Sequence, residues 1–220
     1  MLLMRVCAGC GGPGSSPCAA CVAGLRPVGE MAPPVPLSGL WAAFAYRGPG
    51  RELLARLKYR NQRAAIGWLA AAMHLVLPPE PAADAVTWAP TSGQRRRRRG
   101  FDQAELLARA LGRQSGLPVV RLLKRVDAAG QTGRSRSQRF STPVFAACGP
   151  PPASVLVVDD VITTGATLVA AADTLVRAGA RRVDAVVAGA TPLPFTRSPC
   201  GVATMSNHNQ TPAEREPPWT

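Results

Sequence analysis

Apolar positions along the chain fall into two patterns. In Val155-Leu156-Val157-Val158 they are continuous, which predicts a strand from Ser154 to Asp159 buried on both faces of a parallel sheet. From about Thr167 to Ala178 they recur at helical spacing, and Gly179 ends that stretch. Arg182 to Val187 then reads as the next strand, so the three segments form a β-α-β unit.

Upstream the pattern repeats with shorter elements. Leu40 to Tyr46 predicts a strand, closed by Gly48-Pro49-Gly50. Leu53, Leu54 and Leu57 share one face of a helix from Arg51 to about Arg60. A second helix is expected from Ala64 to Leu77, stopped by Pro78-Pro79. Ala85 to Trp88 predicts a short strand, and Ala89 to Arg99 a loop. Leu106, Leu107, Ala110 and Leu111 mark a helix from Asp102 to about Gln114, and Val119 to Leu123 another strand. Residues 126–139 are polar with no apolar period, which predicts a mobile loop. Alternating strands and helices of this kind define an α/β fold with a central, mainly parallel sheet flanked by helices.

Composition refines this picture in two ways. The 220 residues are 46% hydrophobic but only 5% aromatic, so Ala, Val and Leu must fill the core. No run of about 18 apolar residues occurs, so no membrane insertion is expected. The apolar stretch near Met1 is too short for a secretory segment, and the chain is expected to be cytoplasmic. The net charge of +13 is uneven, because half of the Lys and Arg residues lie between Arg95 and Arg139. A local phosphate or nucleic-acid function and an arginine-rich solvated surface both account for that excess.

The chemistry concentrates at the end of the buried strand. Ligands of open α/β sheets bind beyond the carboxyl ends of strands. Asp159 and Asp160 stand there as adjacent carboxylates, which repel unless something neutralises or hydrogen-bonds them. Vicinal ribose hydroxyls suit that arrangement, each donating to one carboxylate, and a nearby magnesium ion would lessen the repulsion. The following loop, Thr163-Thr164-Gly165-Ala166-Thr167, leads into a helix whose first N–H groups favour a dianion. The three threonines add hydroxyl donors, and Gly165 permits a tight turn. An acidic N-cap on an ordinary turn would explain one Asp and one Thr but not the whole pattern.

Cys7-x2-Cys10 and Cys18-x2-Cys21 form a second candidate site. Two such knuckles supply four thiolates to one tetrahedral, structural Zn2+. Their segment has little apolar surface, so metal binding would drive its folding. Disulfides or a redox motif are the competing readings, weakened by a reducing cytoplasm. Cys148 and Cys200 stand alone as plain thiols.

The acid–threonine segment resembles the phosphoribosyl-diphosphate (PRPP) signature of type I phosphoribosyltransferases. Arg99-Gly100-Phe101-Asp102-Gln103, Leu57-Lys58-Tyr59 and the stretch from Gln131 to Phe145 narrow the likeness, and with the four cysteines the chain resembles the ComF/GntX family. That family usually has Asn where Asp102 stands, and V-P-V-P where this chain has Trp88-Ala89-Pro90-Thr91. The resemblance implies a type I phosphoribosyltransferase fold and Mg2+-dependent transfer of phosphoribosyl from PRPP to a nitrogen nucleophile. It assigns Asp159 and Asp160 to the ribose and Thr163, Thr164, Gly165, Ala166 and Thr167 to the 5′-phosphate.

Arg99, with Arg98 second, is the choice for the diphosphate, because guanidinium forks match phosphate oxygens. Arg134, Arg136 and Arg139 belong either to a hood over the ligand or to a plain basic loop. Lys58 is either a ligand contact or a snorkelling surface lysine. The family's association with DNA uptake leaves two alternatives open: a non-catalytic PRPP or nucleotide-binding module, and a single-stranded DNA-binding accessory. The expected organisation is a zinc module over residues 1–24, a proline-rich linker over 25–39, the phosphoribosyltransferase-like domain over 40–192 and a disordered tail over 193–220.

Overall fold

A computed structural model describes residues 6–60, 63–79, 82–126 and 143–191. The expected tail, Cys200 and the hood candidates Arg134, Arg136 and Arg139 lie outside the described residues.

The elements follow in chain order. Helix α1 (Ala19–Ala23) precedes strands β1 (Pro27–Met31) and β2 (Gly39–Ala45). Helix α2 (Gly48–Arg60), a 3-10 turn (Arg63–Ala65) and α3 (Ile66–Leu75) lead to β3 (Ala85–Trp88). Helices α4 (Gly93–Arg99) and α5 (Gln103–Ser115) come before the hairpin strands β4 (Leu123–Val126) and β5 (Val144–Ala147). The chain then forms β6 (Ser154–Ile162), α6 (Ala166–Arg177) and β7 (Arg182–Ala190).

Five strands make one sheet in the order β1-β2-β7-β6-β3, and β4 and β5 form a separate antiparallel pair. Within the large sheet β2, β7, β6 and β3 are parallel neighbours, and only β1 runs antiparallel, against β2. The expected α/β fold with a mainly parallel sheet is therefore present. Residues 27–31 lie in the stretch whose prolines suggested a linker. They are extended, but they pair with β2 as the edge strand, where a proline's missing N–H is tolerated.

The buried strands explain why their sequence is apolar throughout. Leu156 and Val158 of β6 face a core cluster with α2, α3 and α5, while Val155 and Val157 face a second cluster with α6. Side chains alternate across a strand, so a strand covered on both faces needs apolar residues at every position. On α2, Leu53, Leu54 and Leu57 are fully buried, each worth about 1.5–3 kcal/mol of transfer free energy.

Two elements differ from the expected ones in ways that matter for the site. Strand β6 does not stop at Asp159 but pairs with β7 as far as Ile162↔Ala190. The acid pair is thus held within a ladder rather than in a free turn. The arginine run, expected as loop, is helix α4: the Ser92 hydroxyl accepts from the Arg95 N–H (3.3 Å), and Gly100 ends it at φ 76°. Arginine is a good helix former, and four arginines in the last turn complement the helix dipole. No apolar period announced this helix because none of its residues is buried.

Candidate functional site

A cleft of about 250 Å3 opens at the carboxyl edge of the parallel sheet, where β3 and β6 end. Asp159 and Asp160 line it together with Thr163, Thr167 and Arg99. Tyr46, Lys58, Arg95, Gln103 and Arg125 complete most of its polar wall. Thr164 and Gly165 line a smaller, mostly apolar hollow of about 170 Å3 with Met31, Pro34 and Ile162. Ala166 begins α6. Arg98 is exposed and lines neither cavity, whereas Arg95, one turn before Arg99 on α4, does reach the acid cleft.

The electrostatics of the acid pair are asymmetric. Lys58 Nζ lies 3.0 Å from Asp160 Oδ2, both side chains being largely buried, and 6.0 Å from the Tyr46 ring centroid. Lys58 is therefore not a snorkelling surface lysine. Asp159 Oδ1 instead accepts the backbone N–H of Asp160 at 2.7 Å. Burial first, and the Asp160 charge second, hold the Asp159 carboxyl well above the usual carboxylate range. The Asp160 N–H and Lys58 only partly oppose this. Among the described residues, Lys58 is the cation ion-paired with the acids.

The loop after Ile162 turns sharply into α6. Gly165 adopts φ 78°, a conformation that costs other L-residues strain, and its carbonyl accepts the first helical N–H, from Val169, at 2.9 Å. The Thr164 hydroxyl accepts from the Ala166 N–H at 3.4 Å. The other N–H groups of the first turn have no intrahelical acceptor, as at any helix start.

Asp102 ties the opposite wall together. It is 5% exposed, caps α5 by accepting the Ala104 N–H (3.1 Å), and accepts the Thr91 N–H (2.8 Å) through its other oxygen. The loop after β3 is thereby fixed to α5. Burial raises the Asp102 carboxyl above its ordinary range, against the pull of those backbone donors. Arg99 donates from Nη1 to Gln103 Oε1 at 3.0 Å, which orients both side chains at the same wall.

Residue patterns missed several of these groups. Tyr46 follows the end of β2, and the rule that ligands sit beyond strand ends would have found it. Arg95 would have joined Arg99 had α4 been read as a helix, since positions four apart share a face.

The cysteines converge as their spacing suggests. The four sulfurs lie within 4.8 Å of one another, with Cys7–Cys21 and Cys10–Cys18 each at 3.8 Å. Four sulfurs tetrahedrally placed about 2.3 Å from a metal would stand about 3.8 Å apart, so the donor set fits a tetrahedral ion. Backbone N–H groups of Gly9 and Cys18 donate to Cys7 Sγ, each at 3.2 Å. Burial pushes the Cys7 thiol up, but the backbone N–H donors outweigh it and bring it down to about 6. Burial and the three neighbouring sulfurs push Cys21 up to about 12. This cluster can hold a metal ion. It is also docked: Ala8 and Leu25 belong to the core cluster of α2 and α3, and Arg56 Nη2 donates to the Cys10 carbonyl at 3.2 Å.

Residues 97–192, from the last arginines of α4 through β7, match the family model of the phosphoribosyl transferase domain. That match takes in Asp159, Asp160 and the loop to Thr167, while Tyr46, Lys58, Pro90 and Arg95, which line the same cleft, precede it. More particularly, the chain is similar to the competence protein ComFC of Bacillus subtilis (strain 168), at 30% identity over 155 residues. The likeness extends over 63% of this chain and 58% of that protein, so the chain spans little more than half the length of this relative. With the four-cysteine cluster ahead of the domain, the resemblance to the ComF/GntX family holds. Among solved structures, the allosteric regulatory enzyme of purine biosynthesis is 22% identical with a TM-score of 0.39, over 56% of this chain and 25% of that one. The hypoxanthine phosphoribosyl transferase of Trypanosoma cruzi is 18% identical with a TM-score of 0.33, over 61% and 69%. Among the described residues, no helix is long and apolar enough to cross a membrane.

Proposed function

We propose that the cleft binds PRPP and that the protein transfers its phosphoribosyl group to a nitrogen nucleophile. The observation that supports this reading best is the meeting of Asp159, Asp160, Thr163 and Thr167 in one cleft at the carboxyl edge of a parallel sheet. In this reading Asp159 and Asp160 accept hydrogen bonds from the two ribose hydroxyls. Thr163 to Thr167 take the 5′-phosphate, using the Thr163 and Thr167 hydroxyls and the free N–H groups of the first turn of α6. Arg99 and Arg95 face the diphosphate, and Arg98 has at most an outer role.

Transfer breaks the bond between ribose C1 and the diphosphate oxygen, while the nucleophile's nitrogen lone pair forms the new bond to C1. The transition state carries oxocarbenium character, and the two carboxylates on the ribose favour that positive charge. Positioning of the sugar by its hydroxyls and phosphate supplies most of the remaining acceleration. Magnesium accompanying PRPP would supply charge neutralisation of the leaving diphosphate, with Asp159 and Asp160 the residues available to hold it. The sulfur spacing in the four-cysteine cluster supports the reading of a structural zinc site there. A cytoplasmic setting and a part in DNA uptake are inferred by likeness to the competence protein.

Calorimetric titration of PRPP with and without Mg2+, followed by assay of diphosphate release with candidate bases, tests the reading. Micromolar, Mg2+-dependent binding with release is the expected result. Binding without release for any acceptor would make the protein a PRPP-binding module. Absence of binding would remove the proposal.

A further inference from the structure

Helix α2 brings Lys58 to the acid pair, and the packing beneath the helix fixes that approach. Leu53, Leu54 and Leu57 anchor α2 in the core. Gly189 of β7, the register partner of Val161, lies under it: a Cβ there would stand 2.9 Å from Leu54 Cδ1 and 3.4 Å from Tyr46 Cδ2. Tyr46 is tied to the same strand, its N–H donating to the Ala190 carbonyl at 2.6 Å. The Lys58 ammonium lies beside the Tyr46 ring and reaches Asp160 Oδ2, with only 16% of its side chain exposed. A lysine on a solvated helix face keeps its rotamer freedom, whereas this one has lost it in the unliganded fold.

Each acid has two carboxylate oxygens. Asp159 Oδ1 accepts the Asp160 N–H, and Asp160 Oδ2 holds Lys58. Among the described residues these contacts leave one oxygen on each acid without a partner. That is what two vicinal ribose hydroxyls need when each donates to one carboxylate. Lys58 also offsets one of the two formal negative charges. Mg2+ dehydrates reluctantly and would bring waters into a cleft of about 250 Å3, whereas an ammonium on a fixed stem brings none.

We propose that Lys58 is the built-in counter-cation of the acid pair and positions Asp160 for the sugar, so that the cleft takes the ribose 5-phosphate half of its ligand without a metal ion. This rests on the PRPP reading of the cleft. The metal requirement then belongs to the diphosphate. Lys58 acts through Asp160 and is a positioning residue.

The test is calorimetric titration of ribose 5-phosphate into the zinc-containing chain, in buffer freed of Mg2+ beforehand and again with Mg2+ added. The unaltered chain should bind in both, with affinities within about twofold of each other. Lys58→Met should weaken metal-free binding about tenfold or more, and added Mg2+ should restore most of the loss. Lys58→Arg keeps the charge and should weaken metal-free binding no more than about threefold. Rescue by Mg2+ separates this role from a structural one, since a damaged fold would lose binding equally with and without the metal. Such an equal loss would overturn the inference, as would a Lys58→Met chain that binds without metal as tightly as the unaltered one. It is also overturned if the unaltered chain takes ribose 5-phosphate only with Mg2+, or takes PRPP with Mg2+ but ribose 5-phosphate in neither buffer. In those two cases the PRPP site would stand without a built-in cation. Binding of neither ligand would remove the site itself, and this inference with it.

Discussion

The four cysteines near the start of the chain and the two aspartates of β6 both crowd chemically alike groups together, but their surroundings make opposite demands. The cysteine segment, residues 7–21, contains one short helix and buries few apolar side chains of its own, so its geometry depends on what the sulfurs hold. The acids sit on an interior strand of a sheet whose two faces are already packed. Their position is fixed before any ligand arrives, and repulsion and burial fall on the folded protein instead. In the proposed reading one site folds with its ligand, while the other is folded in advance and bears its repulsion until occupied.

The largest test breaks the first half of that contrast. Cys7→Ser should abolish zinc binding, because a structural tetrathiolate ion contributes on the order of 10–16 kcal/mol that few apolar contacts here could replace. Since Ala8 and Leu25 pack into the core and Arg56 reaches the Cys10 carbonyl, the damage should extend into α2. Elemental analysis should show bound zinc falling from one per chain to none. Hydrogen exchange should accelerate across residues 7–25 and around Leu53 and Leu54 while β6 and β7 stay protected. Protection confined unchanged to α2 would show the cluster to be an independent appendage.

Asp159→Asn tests the second half. The Asp159 carboxyl is raised by burial and by Asp160, so the folded state holds its proton at pH values where the unfolded chain, near 3.8, has released it. The folded state then binds more protons, and this group's contribution makes stability fall as pH climbs from 3.8 towards the raised value. Asparagine should flatten that part of the profile and leave the unliganded protein more stable at neutral pH. The same change should weaken PRPP about 10- to 100-fold, since a hydrogen bond to a charged group is worth roughly 1.5–3 kcal/mol. Denaturation curves across pH check the first expectation and titration the second. A variant less stable at every pH would contradict the claim of a strained acid pair.

Lys58→Met sharpens the comparison further by removing the one lysine seen beside the acids. Leaving a largely buried carboxylate without its partner costs about 1–3 kcal/mol, less than for a fully enclosed pair because the cleft admits water. Lys58 also opposes the rise of Asp159, so its loss should move that carboxyl higher still. The penalty should therefore be larger at pH 8 than at pH 4, where protonation relieves the pair. Equal penalties at both pH values would show that Lys58 acts through packing alone.

How much of this was legible in the sequence follows from the range of the forces involved. The β6–α6–β7 unit could be read because continuous burial and helical spacing are local patterns, and the acid pair because two adjacent carboxylates interrupt the apolar run, although the strand runs on past them to Ile162. The cysteine cluster was legible from spacing alone. The partnership of Lys58 with Asp160 joins residues about a hundred positions apart, and no local pattern encodes it. Strand β1 was hidden by prolines, which mark linkers and sheet edges equally well. Helix α4 was hidden because all its residues are solvated or half-exposed, so the apolar spacing that betrays other helices is missing.

The smallest predicted effect concerns Asp102, a buried carboxylate on the wall opposite the acid pair. As aspartate it accepts two backbone N–H groups, from Thr91 and Ala104, one on each oxygen. Asparagine has one oxygen and one NH2 group, so one of the two backbone donors would meet another donor. A lost hydrogen bond of this kind costs about 0.5–1.5 kcal/mol net. Against that, aspartate carries the burden of burial and of Glu105, both of which raise its carboxyl, and asparagine escapes both. The two effects oppose each other, so Asp102→Asn should change stability by no more than about 1 kcal/mol at neutral pH. Its mark should appear instead in the loop after β3, as faster exchange of the Thr91 amide with the Ala104 cap retained. If that amide stays as protected in the variant as in the unaltered chain, the carboxylate is not what pins the loop after β3 to α5.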